Sequence, residues 1–124
     1  KECEWACAAN GMTGLEQALS IIQMTLVEPG HITWADVARI MSETPAKIGS
    51  LDAEQGRPLA EGEPANIVLV DPKATRVIKP EEQATKGKNN PYCGMEVPGA
   101  VRATFYAGHP TVLNGELASP HRQA

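Results

Sequence analysis

Apolar residues recur at helical spacing close to the start of the chain, and all of them would lie on one face of a helix. They are Leu15, Ala18, Leu19, Ile22 and Leu26. Thr13 and Glu16 have the spacing of a capping box, in which a hydroxyl and a carboxylate pair with backbone N–H groups at a helix start. Pro29-Gly30 then stops the pattern. The sequence therefore predicts an amphipathic first helix over residues 13–27.

A second helix is predicted to begin at Thr33, where Asp36 follows three residues later. Its inner face would carry Val37, Ile40 and Met41. The residue before a proline avoids the α region, so Thr44-Pro45 predicts that this helix ends at Glu43, with only a short turn after it.

The pattern changes after Gly49, where turn residues separate short β-branched runs. Four strands are predicted, over residues 67–70, 75–78, 101–106 and 111–113. Turns are expected at Asp71-Pro72, Pro98-Gly99, Gly108–Pro110 and Asn114-Gly115, the last being a strong hairpin signal. Two amphipathic helices cannot cover each other and a four-stranded sheet, which indicates that a partner surface lies outside this sequence.

Composition narrows the function classes. The chain has 124 residues, which is room for one domain. Its net charge is −4 and its 11 basic residues are scattered, which argues against nucleic-acid binding. No apolar run approaches the roughly 20 residues of a membrane span, and the charged start does not resemble a signal peptide. Three cysteines cannot all pair internally, which favours a reducing, cytoplasmic location.

The residues that could carry chemistry do not form a complete site. Cys3 and Cys7 lie four apart, but His31, His109 and His121 are far from them and from each other, unlike the paired ligands of a structural zinc site. The chain contains no nucleophile elbow, zinc-protease helix or P-loop motif. The residues alone therefore predict no catalytic group and no metal ligand, and the segment 86–88 is interpreted as a solvated loop.

Three stretches nevertheless match a known pattern, and each contains departures from it. They are Asn10 to Glu16; Thr44 to Gly49 with Gly56 to Asp71; and Lys88 to Val101. They resemble dihydroorotases of the bacterial type, within the amidohydrolase superfamily. Asn10 stands where Phe or another larger residue is usual, Thr44 replaces the usual Asn, Asn66 the usual Asp, and Asn90 the usual Thr.

The resemblance implies an α/β fold. It implies that the chain is the C-terminal part of a metal-dependent hydrolase TIM barrel, represented by its last helices, followed by part of a small β-sandwich. Residues 1–48 would be the end of the barrel, 49–118 the C-terminal share of the β-sandwich, and 119–124 a disordered tail. The apolar stripe of the first helix would then pack on a barrel encoded upstream.

The resemblance also implies an activity, the reversible hydrolysis of dihydroorotate to N-carbamoyl-aspartate in de novo pyrimidine biosynthesis. Such enzymes use zinc, whose ligands, with the catalytic Asp, would lie upstream of Lys1. Asn10 and Gly11 match the loop that touches the substrate ring through its backbone, so both are predicted to bind substrate. The full protein is expected to be a homo-oligomer, with aspartate transcarbamoylase as a possible partner, and this fragment alone is expected to be inactive.

Alternatives from other classes stay open at this point. The parent could be a noncatalytic subunit that supports aspartate transcarbamoylase, or another cyclic amidase such as an allantoinase or hydantoinase. The chain could also be a self-standing β-domain used for binding.

Overall fold

The computed structural model describes residues 3–8 and 11–118, so Asn10 and the predicted tail at 119–124 lie outside the described residues. Two helical segments precede one antiparallel sheet, and a short 3₁₀ turn, Trp5–Cys7, comes before them. The chain is thus an α/β arrangement, as predicted. The sheet is a single layer in the described part of the chain.

The first helix is continuous but changes its winding along its length. A 3₁₀ turn, Leu15–Gln17, leads into the α-helical segment Ala18–Ile22 and then a π-helical turn, Gln23–Val27. The predicted extent of this helix is close to the observed one. Its predicted capping box is wrong, because Gly14 is the N-cap residue and no side chain caps this helix start.

The second helix begins as predicted and ends later than predicted. Thr33 and Asp36 form a capping box, with each side chain bonded to the other residue's backbone N–H. The segments Trp34–Ala38, Arg39–Glu43 and Thr44–Ile48 follow without a break. The predicted end at Thr44-Pro45 is wrong, since Thr44 has helical φ and ψ of −66° and −46°. A π-helical turn directly before the proline provides the local adjustment that its missing N–H requires.

Four strands form a meander in the order β1-β2-β3-β4. They are β1, Ile67–Val77; β2, Glu96–Tyr106; β3, His109–Leu113; and β4, Glu116–Leu117. All neighbouring pairs are antiparallel. A 3₁₀ turn, Pro80–Glu82, lies in the long connection between β1 and β2.

The strand boundaries correct several predictions. The two strands predicted at 67–70 and 75–78 are one strand, because Asp71-Pro72 makes an irregularity in β1 rather than a chain reversal. Pro98-Gly99 lies inside β2, which therefore begins before the predicted residue 101. The β2–β3 turn is Ala107-Gly108, both with positive φ, so His109 and Pro110 are in β3. The hairpin turn at Asn114-Gly115 is confirmed, with φ of 53° and 83°.

A bulge shapes the middle of the sheet. Asp71 pairs with Ala100 and Thr75 pairs with Pro98, so residues 72–74 of β1 face Gly99 alone. The Asp71 carboxylate accepts a hydrogen bond from Lys73 N at 3.0 Å and one from Arg102 Nη2 at 2.7 Å, which ties the bulge to β2. The Arg102 hydrogen bond, and then the Lys73 N–H, hold the pKa of Asp71 below its ordinary value.

The first helix packs on this bulge with a polar face. Gln17, Ser20 and Gln23 are buried. Gln23 Nε2 donates to Pro72 O at 2.7 Å, and Ser20 Oγ donates to Gly99 O at 3.5 Å. These residues recur every three positions and so share one face of the helix.

The predicted apolar stripe is only partly exposed. Leu15 is 92% exposed, whereas Leu19, Ile22 and Leu26 are half-buried. In the second helix only Val37 of the predicted inner face is buried, and Ile40 and Met41 are exposed. The buried apolar residues of the described chain are few: Val37, Ala46, Ile78, Val97 and Ala103. Much apolar surface therefore remains on the outside.

Gly99 tests the polar helix–sheet contact. A Cβ added there would lie 2.5 Å from Gln23 Oε1, and Gly99 has φ of 82°. We expect Gly99→Ala to destabilise the protein by about 1–3 kcal/mol, through steric overlap added to backbone strain, measured by urea unfolding. Gly108→Ala is the matched control, because Gly108 has φ of 81° and nothing within 4 Å. Equal losses for the two variants would show that the Gln23 contact contributes nothing.

The capping box at the start of the second helix predicts that the stability of the fold depends on pH. Hydrogen bonds from the backbone and then the side chain of Thr33, and next from Arg39, lower the pKa of Asp36 to about 2. Since this folded-state pKa lies below the unfolded value of about 3.9, the ionised group stabilises the fold above that pH. We expect this contribution to fall away between about pH 4 and pH 2, and Asp36→Asn to remove that part of the dependence. Chemical unfolding across this range measures it. Asp52→Asn, which removes a carboxylate that accepts no hydrogen bond in the described chain, should leave it unchanged.

Candidate functional site

The predicted substrate-binding segment precedes the first helix, and only part of it can be described. Asn10 lies outside the described residues. Gly11 is exposed with φ of 82°, a conformation that favours glycine. A Cβ at Gly11 would meet nothing within 4 Å. The backbone conformation, and not crowding by the described residues, therefore requires glycine here.

A distant loop holds this segment through Asn89. Asn89 Nδ2 donates to Gly11 O at 2.6 Å. In the other direction, Thr13 N donates to Asn89 O at 2.8 Å, and Thr13 Oγ1 donates to the same oxygen at 3.2 Å. The two segments are 76 positions or more apart in sequence. Three hydrogen bonds therefore join the two segments: the Asn89 side chain donates one, and its backbone oxygen accepts the other two.

Glu16 makes a second link to the same loop. Its carboxylate accepts from Thr85 N at 2.9 Å and from Ala84 N at 3.3 Å. Arg76 Nη2 donates to Glu16 O at 3.2 Å. The carboxylate that was predicted to cap its own helix therefore binds the backbone of residues 84–85, which explains why the capping box is absent.

The loop is braced internally as well. Lys88 Nζ donates to the carbonyl oxygens of Gln83 and Thr85, each at 3.1 Å. Asn90 is buried, and its Oδ1 accepts from Tyr92 N at 2.9 Å. Residues 86–88 are exposed and irregular, as predicted for a solvated loop, although Lys88 also bonds the backbone of that loop. We call residues 83–92 the bracing loop.

The described residues do not supply a metal site. Among residues 3–8 and 11–118, no group of three or more His, Cys, Asp or Glu is placed to hold a metal ion. His31 and His109 are both exposed, and His109 begins β3 instead of forming the predicted turn. Cys3, Cys7 and Cys93 are free and exposed. His121 lies outside the described residues.

An apolar groove lies between the helices and β1. Leu19, Trp34 and Val37 line its helical side, and Val68, Val70 and Pro72 line its sheet side.

In the part of the chain that the structure describes, no helix has the length and apolar character needed to cross a membrane.

The sequence matches known proteins over nearly its whole length. No family model matches the chain. A dihydroorotase of Leifsonia xyli is 50% identical over 117 residues, which is 94% of this chain and 26% of the relative. A dihydroorotase of Streptomyces coelicolor is 48% identical over 117 residues, covering 94% of the chain and 27% of the relative. The chain is related to the dihydroorotases. It spans about a quarter of the length of these curated relatives.

Solved structures agree on the fold. The L-hydantoinase of Arthrobacter aurescens superposes with a TM-score of 0.81 at 27% identity, over 90% of this chain and 25% of that one. A dihydropyrimidinase of Brevibacillus agri gives a TM-score of 0.73 at 30% identity, over 81% of this chain and 22% of that one. The resemblance to dihydroorotases is thus confirmed, and the fold is shared with related cyclic amidases.

The sequence did not single out the residues that hold the predicted segment in place. Asn89 lies in one of the matching stretches, which assigns it no role, and Glu16 binds the backbone of residues 84–85 instead of the predicted helix start. A local pattern cannot reveal hydrogen bonds between positions so far apart. The only indication in the sequence was that the stretches 10–16 and 88–101 both match the family pattern, although neither has an assigned contact within its own stretch.

Glu16 offers a direct test of the junction. We expect Glu16→Ala to release the backbone of residues 84–85 and to cost about 1 kcal/mol, since a carboxylate that accepts backbone N–H groups is lost. Limited proteolysis should then cut the bracing loop faster than in the parent protein. The control is Glu81→Ala, which removes an exposed carboxylate that accepts no hydrogen bond within the described structure. Unchanged cleavage after Glu16→Ala would contradict this account.

Proposed function

We propose that this chain is the C-terminal part of a dihydroorotase, which hydrolyses the cyclic amide of dihydroorotate reversibly to N-carbamoyl-aspartate in pyrimidine biosynthesis. The single observation that carries the proposal is the identity of 48–50% to dihydroorotases over 94% of the chain. Identity to the hydantoinase and dihydropyrimidinase structures is only 27–30%. Sequence likeness therefore favours dihydroorotase over the other cyclic amidases.

The division into domains is also a proposal. Residues 1–48 would end a (β/α)8 barrel, and 49–118 would form the C-terminal share of a β-sandwich. The exposed Leu15 and the apolar groove support it, because a single sheet and two helices leave these surfaces uncovered. The remaining three quarters of a dihydroorotase supplies enough chain for a barrel.

The chain's own contribution to the site would be the segment at Asn10 and Gly11. We propose that its backbone meets the substrate ring and that no catalytic or metal-binding side chain comes from this chain. Zinc would be held by residues of the longer protein, since the described residues do not fit it. The free, exposed cysteines support a cytoplasmic location. A homo-oligomer and an association with aspartate transcarbamoylase stay predictions.

The natural full-length protein that carries this sequence tests the proposal. We expect it to hydrolyse dihydroorotate, with a kcat/KM at least about tenfold above that for hydantoin or dihydrouracil, because recognition of a substrate carboxylate adds charge-assisted hydrogen bonds. Activity should be lost on chelation and restored by zinc.

Three results would contradict parts of the proposal. Faster turnover of hydantoin would indicate a different cyclic amidase. No turnover of any of the three, in a folded and zinc-loaded protein, would favour the noncatalytic subunit. Activity that survives complete removal of metal would overturn the zinc requirement.

A further inference from the structure

The side chain of Asn89 fixes one particular peptide group of the predicted substrate segment. Its Nδ2 lies 2.6 Å from Gly11 O. A peptide group is planar and trans, so holding the Gly11 carbonyl also sets the direction in which the Met12 N–H points. Glycine with φ of 82° would otherwise have wide conformational freedom. Asn89 thus restricts the most adaptable residue of the segment.

The hydrogen bonds of Asn89 also determine which backbone groups of residues 11–13 remain able to bind a ligand. Gly11 O and Thr13 N both bind Asn89. Within residues 3–8 and 11–118, the N–H groups of Gly11 and Met12 have no hydrogen-bond partner. Met12 is 70% exposed. Among the described residues, the junction thus occupies Gly11 O and Thr13 N and leaves the neighbouring N–H groups of Gly11 and Met12 available to an incoming oxygen atom.

Asn89 can do this because its own position is fixed from several sides. Its backbone oxygen takes two hydrogen bonds from Thr13. Glu16 and Lys88 brace the residues just before it. A Cβ at Gly87 would lie 2.8 Å from Thr13 Cγ2, so the two segments are also in close steric contact. The bracing loop is a support, and Asn89 is its point of contact with the Gly11 carbonyl.

We propose that Asn89 is a positioning residue, which orients the Gly11–Met12 backbone toward a carbonyl oxygen of the substrate ring without touching the substrate. This inference rests on the proposed function. It requires the amide donor of asparagine: an aspartate has the same size, but its ionised carboxylate cannot donate and repels the Gly11 carbonyl.

The test uses the natural full-length protein, with variants Asn89→Ala and Asn89→Asp. Hydrogen–deuterium exchange of the peptide that covers residues 11–16 reports the junction, and steady-state kinetics on dihydroorotate reports positioning. We expect faster exchange in that peptide and a KM raised about tenfold, which corresponds to the loss of one net hydrogen bond. The kcat should change by less than about threefold, because the lost interaction binds the ring equally before and during reaction.

Asn66→Ala is the matched control. Its Nδ2 donates to Glu54 O at 2.9 Å and its Oδ1 accepts from Ala107 N at 2.8 Å, so the variant removes another amide that bridges two loops, away from the Gly11 contact. We expect it to leave both the exchange of residues 11–16 and the KM unchanged. Asn89→Asp guards against misfolding of the alanine variant, because it changes the donor and not the size.

The possible results of these experiments contradict different parts of the proposal. Unchanged exchange in both Asn89 variants would overturn the contact itself. Faster exchange with an unchanged KM, or an equal KM increase in Asn66→Ala, would overturn the positioning role. A wild-type protein without dihydroorotase activity would contradict both the proposed function and the positioning role. The hydrogen–deuterium exchange result would still show whether the contact between Asn89 and Gly11 exists.

Discussion

The first helix is held on the sheet by hydrogen bonds from a polar face, and the rest of the arrangement depends on this. The Gln23 amide reaches the carbonyl of Pro72, and Gly99 makes room for it. Gln17, Ser20 and Gln23 are the buried residues of this helix, whereas Leu15 is exposed and Leu19, Ile22 and Leu26 are only half-buried. Few apolar residues of the described chain are buried, and much apolar surface lies on its outside.

That orientation also explains the position of the candidate site. Because the sheet fixes the orientation of the helix, the segment before the helix lies beside the bracing loop. Glu16 and Asn89 form hydrogen bonds between the two segments. The contacts join the start of the chain to the connection between β1 and β2. A helix packed through its leucines would rotate Glu16 away from residues 84–85.

The sequence predicted the elements that depend on local chemistry. The capping box at Thr33 and the hairpin at Asn114-Gly115 were identified correctly, because each is determined by residues close together. It failed where tertiary contacts override local preference. Glu16 binds a distant backbone, and Pro45 stays within a helix whose winding widens before it. Pro98-Gly99 lies within a strand because the opposing bulge accommodates it.

The candidate site was predictable only in outline. Gly11 followed from a motif, and its positive φ agrees with a requirement for glycine. Asn89 could not be assigned a role, since nothing in a linear pattern pairs it with position 11. Buried glutamines on a helix are equally hard to foresee, because periodicity methods take the apolar side as the inner one.

The bulge in β1 has one more consequence. In the four-stranded sheet that the structure describes, β1 is an edge strand, and such edges invite backbone pairing with other chains. Residues 72–74 interrupt this edge with a proline that has no N–H to offer and a lysine beside it. The interruption divides the edge into two short lengths, so the same irregularity that seats the helix also discourages indiscriminate aggregation through intermolecular sheet growth.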